Sequence, residues 1–122
     1  MLRELFERKI QFNDILGLTV ASLAPAGPQL AFAMRDELVG NFVHYRLHGG
    51  VISAALDTVG GLAVAVALAE KFPGDSAEEI AHRFNRVGTI DLRVDYLRPG
   101  QGKRFVATGR VTNSVKGRSV QS

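Results

Sequence analysis

Cysteine is absent from this chain, and with it go disulfides, thiolate zinc sites and cysteine nucleophiles. A reducing, cytoplasmic setting fits that composition. No run of lysine or arginine is present, and no stripe of alternating basic and aromatic residues marks a nucleic-acid surface. No continuous apolar block opens the chain either: Met1 to Gln11 alternates charged with apolar residues, so no signal peptide is expected there. A glycine-lysine phosphate loop, a dinucleotide fingerprint and an internal repeat are all missing. No cofactor is expected.

What is present is an ordinary globular composition. With 122 residues, 46% of them hydrophobic and 22% charged, the chain suits a single domain over residues 1–122, long enough for a real core and too short for two. A net charge of +3 and a pI near 9.7 suit an anionic, phosphorylated ligand.

Leu2, Leu5, Phe6 and Ile10 recur at helical spacing among charged residues, which predicts a short amphipathic helix. Leu16 to Leu23 and Gln29 to Arg35 suit strands, joined by the Pro25-Ala26-Gly27-Pro28 turn into a hairpin. A loop over Asp36 to Leu47 leads to an apolar helix whose Ala54, Ala55, Ala63, Ala65, Ala67 and Ala69 keep it slim and whose all-round apolarity requires other elements to enclose it. Val51 to Ala69 is long enough to span a bilayer, but Asp57 would cost about 2.5 to 3.5 kcal/mol near the centre of such a span. Gly60-Gly61 is better explained by close packing. A core helix is therefore expected, without a membrane partner.

Pro73-Gly74 ends that helix, and Ser76 with Glu79 is a capping-box signature for a second one reaching about Phe84. Ile90, Leu92, Val94 and Tyr96 alternate with Asp91, Arg93 and Asp95, which predicts the clearest strand of the chain. After the Pro99-Gly100-Gln101-Gly102 turn, Phe105 to Val111 reads as a further strand, and Gly117 to Val120 as the start of another.

The chemistry is expected at the mouth of the apolar helix, at His48-Gly49-Gly50. First-turn N–H groups have no intrahelical acceptors, and two glycines let a ligand come close to them. For an acyl carbonyl this is an oxyanion hole. Asp57 lies about 10 to 12 Å further along the same helix, in a setting where burial disfavours its charged form. A carbonyl at one mouth reaches the carboxylate of a different helix more easily than its own, which favours a site shared by two subunits. The plainer alternatives are a tight turn without a ligand at the glycines, and an Asp57 neutralised by Arg93 or Arg98. Ser53, one turn before Asp57, has two possible partners: the carboxylate or its own helix backbone. His44 and His48 are four apart, but Tyr45 stands where a zincin glutamate would be, so no metal site is expected.

The run His48-Gly49-Gly50-Val51-Ile52-Ser53-Ala54-Ala55-Leu56-Asp57, followed by Asp95-Tyr96-Leu97-Arg98-Pro99-Gly100, resembles the hot-dog-fold acyl-CoA thioesterases of the phenylacetate-pathway type, over about Leu16 to Val111. The resemblance implies an α+β fold in which a curved antiparallel sheet wraps a long central helix, with C-terminal strands shortened relative to a family that continues with two more beyond the Ser122 position. It implies a homodimer or dimer of dimers with active sites at the dimer interface. Gly49 would polarise the thioester carbonyl, Asp57 would attack it or activate water, Thr89 would help hold that water, Asn41 would orient the loop, and His48 would fix it by hydrogen bonding. Gly50 and Ser53 would line the substrate site, while Arg98, Lys103 and Arg104 would meet the phosphates of CoA or form a solvated basic turn. Hydrolysis of an acyl-CoA is the expected activity. A hot-dog hydratase or dehydratase using His48 with a helix acid, and a non-catalytic acyl-CoA-binding domain, stand as alternatives.

Overall fold

A computed structural model describes residues 2–114 and 118–121, with side chains described up to residue 112. The chain opens with α1 (Leu2–Glu4), a π-helical turn (Leu5–Lys9) and α2 (Gln11–Leu16). The expected single helix is thus interrupted at Ile10, whose extended φ/ψ breaks the ladder. Gly17 then ends α2 at φ 72 in the left-handed region, where a residue without a Cβ is at no disadvantage.

β1 (Thr19–Ser22) and β2 (Gln29–Ala33) form the expected hairpin, with Val20 opposite Leu30. β1 starts later than the apolar pattern suggested, because Leu16 still belongs to α2. A 3-10 turn (Asp36–Leu38) and a small antiparallel pair, β3 (Val39–Asn41) and β4 (Arg46–Leu47), occupy the stretch expected to be loop. Then come α3 (Gly49–Lys71) and α4 (Ala77–Phe84). Both bonds of the capping box are present: Glu79 N–H donates to Ser76 Oγ at 3.2 Å, and Ser76 N–H donates to Glu79 Oε1 at 3.0 Å.

The last strands are β5 (Arg104–Thr108), β6 (Arg110–Ser114) and β7 (Arg118–Gln121). β5 pairs antiparallel with β2, giving the order β1-β2-β5, and β6 pairs with β7. The strand expected over Phe105 to Val111 is broken at Gly109, and the reason is steric. A Cβ there would lie 2.7 Å from the Val59 carbonyl oxygen of α3, so this glycine lets the sheet press directly on the helix backbone. Of the residues expected to start the last strand, Gly117 lies outside the described ones. The β6–β7 pair forms a separate two-stranded sheet that also packs on α3.

The core gathers α3 (Val59, Leu62, Ala65), the hairpin (Val20, Leu30), Phe6 and Ile80. α3 is long and apolar enough to cross a membrane by length and composition, but Val59 to Val66 are all buried within the chain except Gly61, as a core helix requires. The architecture is α+β, a long helix against antiparallel sheet.

The strand expected over Ile90 to Tyr96 does not form. Ile90 is a bend and residues 91–97 carry no regular structure, with no strand partner among the described residues; Ile90 is 96% exposed, and neighbouring Leu97 is 88% exposed. The alternation describes a backbone ready to pair, but a ladder needs two segments. Among the described residues β5 pairs with β2 alone, and Ile90, Leu92, Tyr96 and Leu97 meet solvent.

Candidate functional site

α3 begins in the way its glycines suggest, with one addition. His48 is the N-cap residue, and its Nδ1 accepts a hydrogen bond from Gly50 N–H at 2.7 Å. This imidazole performs the task usually given to Ser, Asp or Asn. Val51 and Ile52 N–H turn back to the His48 carbonyl at 3.0 and 3.3 Å. Of the first four helical N–H groups, only that of Gly49 has no acceptor among the described residues. It is therefore the donor free to take a ligand oxygen at the positive end of the helix dipole, whereas Gly50 N–H is occupied.

A cavity of about 520 Å³ opens over this donor, lined by Asn41, Arg46, His48, Gly49, Tyr96 and Arg98 among others. Tyr96 closes one side: its hydroxyl donates to the Gly49 carbonyl at 3.1 Å. Asn41 sits at the rim, but its Oδ1 accepts from His44 N–H at 3.1 Å rather than contacting His48. It shapes the β3–β4 turn, in which Tyr45 holds φ 51 and donates from its hydroxyl to Asp36 Oδ1 at 2.5 Å. That hydrogen bond, with lesser contributions from burial and from the charges of Asp36 and Glu37, raises the Tyr45 phenol above its ordinary pKa. Arg46 carries no signal in the linear sequence, and Tyr96 appears there only as part of the 95–100 motif; both reach the cavity through the folding of β4 and of the 96–100 segment. The Arg46 Nε is buried without a partner among the described residues.

Asp57 is elsewhere. It is exposed in this chain, contrary to its expected burial in an apolar setting, because α3 turns this face away from the sheet. It has no ion pair among the described residues: Arg93 reaches Asp95 instead, at 3.5 Å, and Arg98 lies in the cavity at the helix mouth. What meets Asp57 is Thr89, whose hydroxyl donates to Oδ1 at 2.7 Å. The two share a second and larger cavity of about 1050 Å³. Ser53 bonds back to the Gly50 carbonyl at 3.1 Å and leaves the carboxylate alone.

The structure therefore forms two clusters. Gly49, His48, Asn41 and Arg98 border one cavity, while Asp57 and Thr89 border the other. Neither cavity contains Lys103 or Arg104. These residues sit at the start of β5, where the Lys103 carbonyl accepts from Met34 N–H at 2.9 Å and Arg104 pairs with Ala33.

A long apolar helix held against antiparallel sheet, with a free amide at its first turn and a threonine-bound carboxylate two turns later, can be compared with known proteins. Residues 44–120 match the model of the thioesterase superfamily. The chain belongs to the thioesterase superfamily. Its fold is accordingly the hot-dog fold, and the expectation drawn from the helix and strand motifs holds at that level. The chain is 44% identical over 108 residues to the medium/long-chain acyl-CoA thioesterase YigI of Salmonella typhimurium, covering 88% of this chain and 70% of the relative. It is 43% identical to the protein of that name from Escherichia coli K12, with the same coverage. A crystal structure from Shewanella oneidensis, described as related to the thioesterase superfamily, superimposes with a TM-score of 0.85 at 39% identity, covering 93% of this chain and 74% of that one.

Proposed function

We propose that the chain hydrolyses acyl-CoA thioesters to the free acid and CoA, at sites built between two copies of it. The observation that carries this reading is the division of labour along α3. Gly49 offers the one free first-turn N–H, and the Asp57 carboxylate, held by Thr89, stands about 12 Å further along the rod. One thioester carbon cannot touch both groups of the same helix. Two chains related by a two-fold axis bring the mouth of one helix to the carboxylate of the other. The segment from Ile90 to Leu97, whose Ile90, Leu92, Tyr96 and Leu97 are exposed, supplies a surface that a second copy would cover. The names of the relatives support the substrate class, and the motifs of the helix and of residues 95–100 support a likeness to the phenylacetate-pathway type.

In this mechanism the Gly49 N–H receives the negative charge that develops on the thioester oxygen. Asp57 acts on the carbonyl carbon, either by direct attack to give a mixed anhydride or by taking a proton from an attacking water. In both routes the C–S bond breaks and CoA leaves as the thiolate; on the direct-attack route water then hydrolyses the anhydride, which releases the free acid and restores the Asp57 carboxylate. His48 holds the first turn in place through Nδ1, and Arg98 and Arg46 present cations beside the helix mouth for an anionic part of the ligand.

The test is thiol release from a panel of acyl-CoAs. Asp57→Asn is expected to abolish turnover while leaving the far-UV spectrum unchanged. Gly49→Pro is the sharper variant, because proline is well tolerated at the first helical position and removes the N–H; Gly49→Ala, which adds a Cβ 3.4 Å from the Tyr96 ring but keeps the donor, is its control, and a fall in kcat of about 10² to 10³ is expected for the proline variant alone. Single turnover in isotopically labelled water places the label in the Asp57 carboxylate only on the direct-attack route. Water addition to an enoyl-CoA, or tight acyl-CoA binding with no turnover by the unaltered chain, would overturn the proposal in favour of a hydratase or a binding domain.

A further inference from the structure

The larger cavity extends well beyond the reacting carboxylate. On α3 it is bordered by Asp57, Gly61, Val64 and Leu68, whose spacings of four, three and four place them on one face of the helix. It ends against Phe72, about 22 Å from Asp57 at the helical rise. That ring is covered by the Arg83 guanidinium, 3.4 Å from its centroid, and Arg83 is itself fixed by Asp75 at 2.6 Å. A groove with a carboxylate at its head and an apolar floor fits the chemistry of an acyl chain whose carbonyl reacts at Asp57.

One turn beyond Asp57 this groove is crossed. Gly61 leaves a notch in the helix surface, and the rings of Phe84 and Phe6 stand over it. A Cβ at Gly61 would lie 3.5 Å from Phe84 Cζ and 3.8 Å from Phe6 Cε1. The two rings pack against each other with centroids 5.4 Å apart. Phe6 is buried in the core, while Phe84, the last residue of α4, is only half-buried. Of the two barriers Phe84 is therefore the one that can be trimmed without opening the core.

Building on the thioester reading above, we propose that Phe84, set against Gly61, determines which acyl-chain lengths the chain accepts. It divides the groove into a short compartment beside Asp57 and a longer one over Val64 and Leu68. A short acyl group stops at the ring; a long one needs the space the ring occupies.

The experiment compares dodecanoyl-CoA with butyryl-CoA as a ratio of kcat/KM, together with the ratio of affinities for the corresponding non-hydrolysable alkyl-CoA thioethers measured by calorimetry. Phe84→Ala is expected to raise both ratios, by about fourfold for each methylene newly accommodated. Phe84→Leu, which keeps more of the packing volume, should raise them less. Gly61→Val pushes side-chain atoms into the notch from the opposite wall and should lower both. Opposite shifts from the two sides distinguish a length barrier from general loosening, which would move the ratios in one direction. Ratios unchanged in Phe84→Ala, or moved the same way by Phe84→Ala and Gly61→Val, would overturn the inference. Failure of the unaltered chain to hydrolyse any acyl-CoA would instead remove the proposed function, and the thioether affinities would still report on the groove.

Discussion

β2 and the segment from Ile90 to Leu97 both carry large apolar side chains, yet they have opposite surroundings. β2 has β1 on one side and β5 on the other, and Leu30, Ala31 and Phe32 are buried. The later segment has no strand partner among the described residues, and its Ile90, Leu92, Tyr96 and Leu97 are exposed. β1, at the sheet edge, lies between these extremes. Its Val20 N–H donates to Glu7 Oε2 at 2.7 Å and its carbonyl accepts from Arg3, so side chains from the first helices cover an edge that would otherwise invite pairing. A covered strand edge and an uncovered apolar segment in the same small domain show which apolar surface the chain covers itself and which it leaves open. The uncovered one lies beside Thr89 and leads into Tyr96, next to both halves of the candidate site.

The contrast can be tested by perturbing each region in turn. Leu30→Ala should show the largest effect on stability, a loss of about 2 to 5 kcal/mol, read from urea unfolding and independent of protein concentration. Gly109→Ala should cost about 1 to 3 kcal/mol, because its Cβ would collide with the Val59 carbonyl; a neutral result would mean that the sheet does not press on α3 there. Asn13→Ala should lose about 1 to 3 kcal/mol. This residue is buried, donates to the Phe6 carbonyl at 3.0 Å and accepts from Thr58 at 3.4 Å, tying the first helices to α3. Ile90→Ala should change the stability of the isolated chain by less than about 0.5 kcal/mol. A larger loss that grows with protein concentration would show that a second copy covers the segment, and sedimentation of Ile90→Asp would then report dissociation.

The fold was legible wherever a local pattern and its partner lay close together in the chain. The Pro25 to Pro28 turn announces its hairpin, and Ser76 with Glu79 announces its helix, since both bonds of a capping box join residues three apart. The glycine pair marked the helix mouth correctly, but not which donor is free. That depended on the His48 ring folding onto Gly50 N–H, a choice of side-chain direction that spacing does not encode. The 90–96 alternation predicts a strand that does not form, because periodicity reports which face is apolar and says nothing about what pairs with it. Asp57 was expected to be buried because its sequence neighbours are apolar, yet the helix turns that position away from the sheet and toward Thr89.

By itself the sequence determined the long apolar helix, the glycines at its mouth, the carboxylate two turns later and the class of fold that such a pattern suits, because each depends on residues within a few turns of one another. Tertiary structure alone decided that Thr89 reaches Asp57 across 32 positions, that Tyr96 closes over the helix start, and that Phe84 stands against Gly61. Those contacts join segments far apart in the chain, and their geometry is set by how the helices and sheet pack in space.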